Sequence, residues 1–394
     1  MIIDLFVILV VIALMVVINN QAFKSEPAVF KKQGLIIMFI HIITIFGYYF
    51  LTRNGGGDAW GYWLAGKQVT FNEAIGQIFK HQGTYFMHGF NYFFSGALGV
   101  GFLANTFIYG AMGYIGLLCF YKVALHHIKF SVPVMGIHIF PFLFFIPMLH
   151  FWCSGVGKDS VLMFCIGLVV YASVNIIKRI PVLVCGLLLS YLVRPHITLM
   201  LLMAYGMAFL MSKEQALWKR IMLGAALLVI GLAILPSVLE FAKIGEASLD
   251  SFSDFSSGKA EVLSRSHTGS SVDISSYPLP LKWLTFLFRP FFFDINGIPA
   301  VVASFENLFI VAVTIKVIKS KPLVALRNAP LEIKAMFFFL VLGTLAFSPT
   351  LGNLGIMIRM RNMFLPGMFL FYLWVTSNYI RNYVTVNKRL YAKT

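Results

Sequence analysis

Residues 2–18, IIDLFVILVVIALMVVI, form an apolar run whose only charged residue is Asp4. About 20 such residues in a helix span the hydrocarbon core of a bilayer, and this run approaches that length. It lacks the basic segment and the small-residue cleavage site of a secretory signal peptide. We therefore expect the run to be retained as a transmembrane helix.

The rest of the chain repeats this pattern. Of its 394 residues, 59% are hydrophobic and 12% are charged, about half the charged share of an ordinary soluble domain. The mean hydropathy is +0.84. The sequence predicts an all-α polytopic integral membrane protein in which residues 1–394 form a single membrane domain. Apolar runs place about eleven transmembrane helices at 2–18, 35–52, 102–121, 131–149, 160–177, 180–193, 197–211, 220–241, 298–318, 335–350 and 363–380.

Lysine and arginine are concentrated in alternate loops, such as those with Lys178 and Arg179 or with Lys319 and Lys321. The positive-inside rule places these loops in the cytoplasm, the N-terminus outside and the C-terminus inside. It also accounts for much of the net charge of +16, so no nucleic-acid partner is expected. The loops predicted to face outward are 53–101, 150–159, 194–196, 242–297 and 351–362.

The outer loops hold isolated polar residues beside glycine, proline and aromatic residues, whereas the cytoplasmic loops hold ordinary lysines. The longest outer loop, 242–297, is rich in serine between 245 and 280. It is either a lid over an outer-face site or a solvated linker. The isolated polar residues are Asp58, Lys158, Asp159, Arg194, His196, Arg289, Asp294, Arg359 and Arg361.

The segment 150–164, HFWCSGVGKDSVLMF, resembles half of a phosphate-binding loop. A P-loop requires Gly five residues before Gly157 and Ser or Thr after Lys158. Trp152 and Asp159 stand at those positions. Together with the predicted outer location, this departure excludes nucleotide binding as the interpretation.

The same segment is compatible with another kind of anion site. A helix that begins near Lys158 would present its positive dipole end, with Ser154 as the cap and glycines at 155 and 157 exposing backbone amides. Lys158 would add a full charge, and Asp159 would suit the first turn of the helix. The alternative is that Lys158 and Asp159 form a structural ion pair at the membrane interface.

Arginines recur in three outer segments. Arg194 and His196 flank a proline between two apolar runs, and a charge at membrane depth usually marks function. Arg289 lies five residues before Asp294. Arg359 and Arg361 would point the same way if their segment were extended. These arginines are either interfacial anchors or bidentate ligands for phosphate groups. The residues in question are Arg194, Arg289, Arg359 and Arg361.

A glycine-rich segment, RNGGGDAWGYW (53–63), carries a carboxylate, Asp58, next to Trp60 and other aromatic residues. Aromatic faces beside a carboxylate are typical of sugar-binding sites. The alternative is an aromatic belt at the membrane interface. His41 and His138 lie within apolar runs and are expected to be packed core residues.

Three motifs, RNGGGDAWGYW after an early helix, SGVGKDS at a helix start and RMRN before the last helix, resemble those of bacterial EpsG-like and Wzy-type (O-antigen) polysaccharide polymerases. These belong to the GT-C group of integral-membrane glycosyltransferases. The resemblance in layout extends over most of the chain.

The resemblance implies a polysaccharide-biosynthesis enzyme of the bacterial inner (plasma) membrane. Such an enzyme joins oligosaccharide units carried on polyprenyl diphosphate at the outer face, and the activated lipid-linked glycan makes ATP unnecessary. The general base would be Asp58 or, second, His196. Substrate contacts would come from Arg53, Trp60, Lys158, Asp159, Arg194, Arg289, Asp294, Arg359 and Arg361.

No cofactor is required by this chemistry, although Asp58, Asp159 and Asp294 could hold a divalent cation. The four cysteines show neither a disulfide pattern nor a zinc-site spacing. Two other functions remain open: a transporter or flippase for a lipid-linked or anionic substrate, and a non-catalytic subunit of a cell-envelope complex. Membrane lipid, and in the last case envelope proteins, would be the partners.

Overall fold

The computed structural model describes residues 2–54, 57–212, 216–242, 258–260, 262 and 269–391. Helices dominate these residues, and the strands that they contain are two short ones, β1 (Pro133–Val134) and β2 (Ile137–His138), which pair antiparallel. The expectation of an all-α protein is confirmed.

The chain divides into two compact units. Unit 1 comprises Met1–Lys122, Phe145–Leu199 and Pro236–Lys243. Unit 2 comprises Val123–Phe144, Met200–Leu235 and Ile244–Thr394. Each unit is described by itself below, and a single membrane domain over 1–394 stays a prediction.

The first nine helices run from the N-terminus to the motif at Lys158. The helix α5 continues into a π-helical turn, Tyr92–Ala97. The helices are α1 (Ile2–Ala22), α2 (Ala28–Thr52), α3 (Asp58–Gln68), α4 (Phe71–Lys80), α5 (Thr84–Asn91), α6 (Phe102–His127), α7 (Ile139–Phe142), α8 (Pro147–Phe151) and α9 (Lys158–Ser173).

The later helices include two pairs joined by tight connections, at Arg194 and at 362–364. They are α10 (Ile180–Val193), α11 (Pro195–Leu210), α12 (Leu217–Ala242), α13 (Leu279–Phe288), α14 (Ile298–Lys319), α15 (Pro322–Arg327), α16 (Leu331–Phe347), α17 (Leu354–Arg361) and α18 (Leu365–Tyr391).

Among the described residues, five helices are long and apolar enough to cross a membrane. The count rises to six if α17 and α18, which are bent by 61°, form one broken span. The predicted runs at 160–177, 180–193, 197–211 and 335–350 are also helical, but these helices have only 14 to 17 residues. The apolar helices agree with a membrane-embedded protein.

The predicted transmembrane helix at 131–149 is not a continuous helix. The segment contains β1 and β2, the short helix α7, a 3₁₀ turn at Leu143–Phe145 and the start of α8. Prolines at 133, 141 and 147 explain the difference, because proline lacks the backbone N–H that a continuous helix needs. Average hydropathy does not detect these breaks in the helix, because it does not take account of proline's effect on backbone hydrogen bonding.

The predicted outer loop 53–101 contains three helices, α3 to α5. Asn91 joins them to α6: its amide donates to the Tyr109 hydroxyl at 2.8 Å and accepts from the Asn105 amide at 2.8 Å. Asn91 also donates to the Met87 carbonyl within α5. These buried bonds fix the short helices against the beginning of α6, since a buried amide without partners would be costly.

A glycine seam brings α6 into backbone contact with the segment around α9. A side chain at Gly113 would overlap the Cys153 carbonyl, and one at Gly116 would overlap the Met163 carbonyl. Gly167 of α9 meets Gly116 directly. Small residues permit such close approach of helices in membranes. The seam therefore holds the start of α9, and with it Lys158, in a fixed position.

The described part of the predicted outer loop 242–297 is ordered by contacts within unit 2. Leu354 N donates to the Ser270 carbonyl at 2.8 Å, and Val272 N donates to the Gly352 carbonyl at 2.9 Å. The helix α13 follows these residues. The described part of the predicted loop therefore includes a helix and is hydrogen-bonded to residues 352–354. Residues 243–257 of the predicted lid lie outside the described residues.

Candidate functional site

The residues around Asp58 form a cleft of about 450 Å³ in unit 1. Asp58 is the first residue of α3 and is exposed; it follows Gly57, whose φ of 68° favours glycine. Tyr62 and Gln68 share this face of α3, and Thr84 and His88 face the cleft from α5. The cleft thus gathers a carboxylate, a phenol, an amide, a hydroxyl and an imidazole.

Close packing of α3 against the end of α5 shapes the cleft. A side chain at Gly66 would lie 2.7 Å from the backbone carbon of Asn91. Residues 58, 62 and 65, and likewise 84 and 88, are spaced by three or four and lie on single helical faces. The two helices therefore present their polar stripes to the same space.

Lys158, at the start of α9, reaches this site. Its ammonium donates to the Thr84 hydroxyl at 3.1 Å and lies 5.9 Å from the centre of the Tyr62 ring. The His88 ring lies 5.9 Å from the Tyr62 ring. The sequence-predicted residues Asp58 and Lys158 are therefore brought to the same region, and His88 and Thr84 join them.

His88 is half-buried, and its pKa is lowered from its ordinary value of 6.5. Burial is the larger cause, because it disfavours the charged imidazolium, and the positive charge of Lys158 acts in the same direction. The imidazole is therefore neutral at pH 7 and able to accept a proton.

Behind the cleft, Asp159 and Arg194 form a buried ion pair. Arg194 Nη2 lies 3.1 Å from Asp159 Oδ1, and Arg194 is 8% exposed. The Gly83 N–H donates to the Leu192 carbonyl at 2.9 Å, which ties the end of α10 to the start of α5. The ion pair therefore braces the corner at which α5, α9 and α10 meet.

One detail of the predicted anion site is wrong. Ser154 does not cap α9; its hydroxyl donates to the Thr44 and Phe151 carbonyls, and the start of α9 has no side-chain cap bond. A side chain at Gly155 would overlap the ring of Tyr48, so packing requires a glycine at this position.

Trp60 and Arg53 lie beside the cleft rather than in its walls. Trp60 packs against Trp63 and Phe102, with ring centroids 4.9 and 5.1 Å apart. Arg53 is exposed, with its guanidinium 4.9 Å from the centre of the Phe50 ring. Trp60 thus contributes to an aromatic cluster. His196 is half-buried in the first turn of α11 and is not among the residues that line the cleft.

In unit 2, three of the predicted site residues, Arg289, Asp294 and Arg361, form a cluster with Asn307, here termed the arginine clamp. Arg289 Nε donates to Asp294 Oδ2 at 3.0 Å, and a second bond joins Arg289 Nη2 to Asp294 Oδ1. Arg361, 2% exposed, donates to the Leu287 carbonyl and, at 2.9 Å, to Asn307 Oδ1.

The arginine clamp closes the end of α13. The carbonyls of Leu287 and Arg289 both accept from Arg361, and the last carbonyls of a helix otherwise lack partners. Arg359 and Arg361 lie in the helix α17, so the expectation of an extended segment with both side chains on one side is wrong. Arg359 is half-buried.

Among the described residues, no three His, Cys, Asp or Glu side chains lie close enough together to hold a metal ion. Three aspartates were predicted as possible ligands for a cation. Two of them form ion pairs in the structure, Asp159 with Arg194 and Asp294 with Arg289. The chain matches no protein-family model, no curated protein and no solved structure.

Neither Thr84 nor His88 was predicted from the sequence as a site residue. The signal was present, since Thr84 and His88 are four residues apart in TYFMHGFN. It was overlooked because 53–101 was interpreted as a loop, in which such spacing carries no meaning.

Proposed function

We propose that the chain is a membrane glycosyltransferase of the polysaccharide-polymerase type. It joins oligosaccharide units carried on polyprenyl diphosphate at the outer face of a bacterial inner membrane. The observation that carries the proposal is the cleft. Asp58 and His88 both line it, and the Lys158 ammonium donates a hydrogen bond to the Thr84 hydroxyl at its edge. The resemblance of three motifs to EpsG-like and Wzy-type polymerases supports it.

The chemistry assigned to the cleft is a displacement at the anomeric carbon. Asp58 or the neutral His88 accepts the proton of the attacking sugar hydroxyl. The bond between the anomeric carbon and the diphosphate oxygen breaks, and the lipid diphosphate leaves with the electron pair. Lys158 stabilises the negative charge that develops on this leaving group. Tyr62 supplies an aromatic face for a sugar ring.

The first experiment compares Asp58→Asn, His88→Gln and Lys158→Met in cells that depend on this chain for surface polysaccharide. Polymer length is measured by gel electrophoresis at matched protein levels. Replacement of the residue that acts as general base should lower the rate of sugar transfer by about 100-fold or more. Lys67→Met is the matched control, because the Lys67 ammonium lies over the Trp63 ring at 4.1 Å and not in the cleft wall. Full-length polymer from both Asp58→Asn and His88→Gln would contradict the proposal.

The proposal includes a topology: a multi-pass protein with about eleven crossings, its N-terminus outside and its C-terminus inside. Single cysteines at Ser276 and at Leu323, both exposed, test the sidedness in a background that lacks the exposed Cys185. An impermeant thiol reagent should label Ser276→Cys and not Leu323→Cys in intact cells. The reverse labelling pattern would overturn the outer-face assignment.

A transporter or flippase is favoured by a different observation, a buried histidine pair. His41 in α2 and His150 in α8 approach to 3.1 Å between their Nδ1 atoms, and His41 Nε2 contacts the Gly110 carbonyl at 2.8 Å. Histidines at membrane depth can relay protons. If transport is the function, His41→Gln should abolish substrate flux, whereas in a glycosyltransferase the same change should leave sugar transfer intact.

A further inference from the structure

The helix α4 is amphipathic, and it is built to form locally. Thr70 and Glu73 make a reciprocal capping box: the Thr70 side chain accepts from Glu73 N, and Glu73 Oε2 accepts from Thr70 N at 2.7 Å. At helical spacing its apolar residues lie on one side, and Glu73 and Lys80 lie on the other. The apolar residues are Phe71, Ala74, Ile75, Ile78 and Phe79.

Among the described residues, one edge of this apolar face is covered and the other is not. Ala74 is buried, and Gly89 of α5 lies against the Ala74 carbonyl and the Ile78 side chain. The other edge is uncovered: Phe71 is 55% exposed and Phe79 is 77% exposed. Within the described residues, the Phe71 ring meets the Tyr92 ring with centroids 6.2 Å apart, and both phenylalanines keep more than half of their surface uncovered.

The surroundings of α4 indicate what covers this edge. Trp63 of α3 donates from its indole to the Val100 carbonyl at 2.9 Å, just before α6 begins. Trp60 and Tyr49 both contact Phe102, the first residue of α6. Such an aromatic cluster at the ends of apolar helices is typical of the level of the lipid headgroups. The two-residue connection between α3 and α4 keeps α4 at this level.

We propose that α4 lies in the bilayer interface, with Phe71 and Phe79 inserted at the boundary between headgroups and acyl chains. Its opposite side, which carries Glu73 and Lys80, then faces water, as in other interfacial helices. The occupant of the uncovered edge is lipid. The inference stands whatever reaction the cleft performs, because it rests on α4 and the aromatic cluster alone.

The inference also specifies where the cleft opens. Its walls belong to α3 and α5, the helices that flank α4. An interfacial α4 places this cleft at headgroup depth, so a substrate with a lipid anchor presents its polar group there while its tail stays in the bilayer.

A depth measurement tests the position of α4. Phe79→Cys and Lys80→Cys carry a nitroxide label in full-length protein reconstituted into phosphatidylcholine–phosphatidylglycerol vesicles. The background replaces Cys119 and Cys185, the two cysteines that are not buried, by Ser. Collision with oxygen, which partitions into lipid, is compared with collision with a water-soluble nickel complex. Phe71→Cys is a second probe of the same edge, so the test does not depend on one variant.

Labels at 79 and 71 should collide preferentially with oxygen, and the label at 80 with the nickel complex. Equal access of the nickel complex to all three positions would place the edge in water and overturn the proposal. Low access of both reagents to 79 and 71 would show that protein, such as a second copy of this chain, covers the edge, and this would overturn it equally.

Discussion

The cleft and the arginine clamp contain the same kinds of charged residue but use them differently. In the arginine clamp, Arg361 and Arg289 direct their hydrogen bonds to carbonyls, an amide and a carboxylate of unit 2 itself. In the cleft, Asp58 and His88 line open volume, and Lys158 reaches a hydroxyl at its edge. An isolated arginine near a helix end can thus complete the backbone hydrogen bonding of that end, and its presence alone does not indicate a ligand.

The largest expected effect tests the clamp. Arg361→Met should lower the free energy of unfolding by about 3 kcal/mol, because the buried Asn307 Oδ1 and two partly buried carbonyls lose a charged donor. Thermal unfolding of the detergent-solubilised protein, followed by size-exclusion chromatography, measures the change. Arg359→Met, the same substitution in the same helix at a half-buried position, should cost less. A wild-type melting temperature for Arg361→Met would show that Arg361 is free to bind a ligand instead.

The second test concerns the ion pair behind the cleft. Asp159→Asn leaves the Arg194 guanidinium buried without its carboxylate and should cost about 3 kcal/mol of stability. The double variant Asp159→Leu with Arg194→Met removes both charges and should recover much of this loss. The same melting assay applies. If the double variant is no more stable than the single one, Asp159 and Arg194 do not act as a pair.

A smaller stability effect is expected within the cleft itself. Lys158→Met removes one partly exposed hydrogen bond to Thr84, so the free energy of unfolding should change by no more than about 0.5 kcal/mol. Polysaccharide output should nevertheless fall sharply. If Lys158→Met destabilises the protein as much as Arg361→Met does, Lys158 has a structural role like that of Arg361, and the cleft and the arginine clamp do not differ in this respect.

The smallest effect is a shift in the titration of His88. Burial and Lys158 both lower its pKa, so carbodiethoxylation of the neutral ring, followed by mass spectrometry, should have a midpoint below 6.5. Lys158→Met should raise this midpoint, but burial, the larger cause, should keep it below 6.5. A midpoint that does not move would show that the Lys158 charge does not reach His88.

This titration has a consequence for stability. The folded-state pKa of His88 lies below its unfolded-state value, so protonation favours unfolding. The contribution of His88 is fully present above about pH 6.5 and is lost as the pH falls through the folded-state pKa. His88→Gln should therefore reduce the sensitivity of the melting temperature to mild acid.

The sequence predicted the long helices well because hydropathy and length act locally. The runs at 2–18, 102–121 and 298–318 lie within helices of 21, 26 and 22 residues. The prediction at 131–149 was wrong because average hydropathy outweighed the prolines. The short helices of 53–101 were missed because their apolar faces are narrow, and α4 in particular mixes Phe with Asn, Glu and Lys.

The site was predicted in part for a similar reason. Asp58 and Lys158 were recognised because each stands in an unusual local sequence, glycine-rich in both cases. The pairing of Asp159 with Arg194 was not predictable from spacing, since the neighbouring Lys158 offered an equally good partner. Tertiary packing of α9 against α10, in which Gly186 lies against the Cys165 carbonyl, brings the start of α9 to the end of α10 and decides the pairing.

The hydrogen bonds of Asn91 have a consequence for the order in which the chain assembles during insertion. Asn91 emerges from the ribosome before Asn105 and Tyr109, its partners on α6. The helices α3 to α5 therefore cannot complete their contacts when they are synthesised, and must wait at the membrane surface until α6 has entered. The cleft is thus a late product of biogenesis although its walls are encoded early, and a nascent chain arrested at residue 101 should lack it.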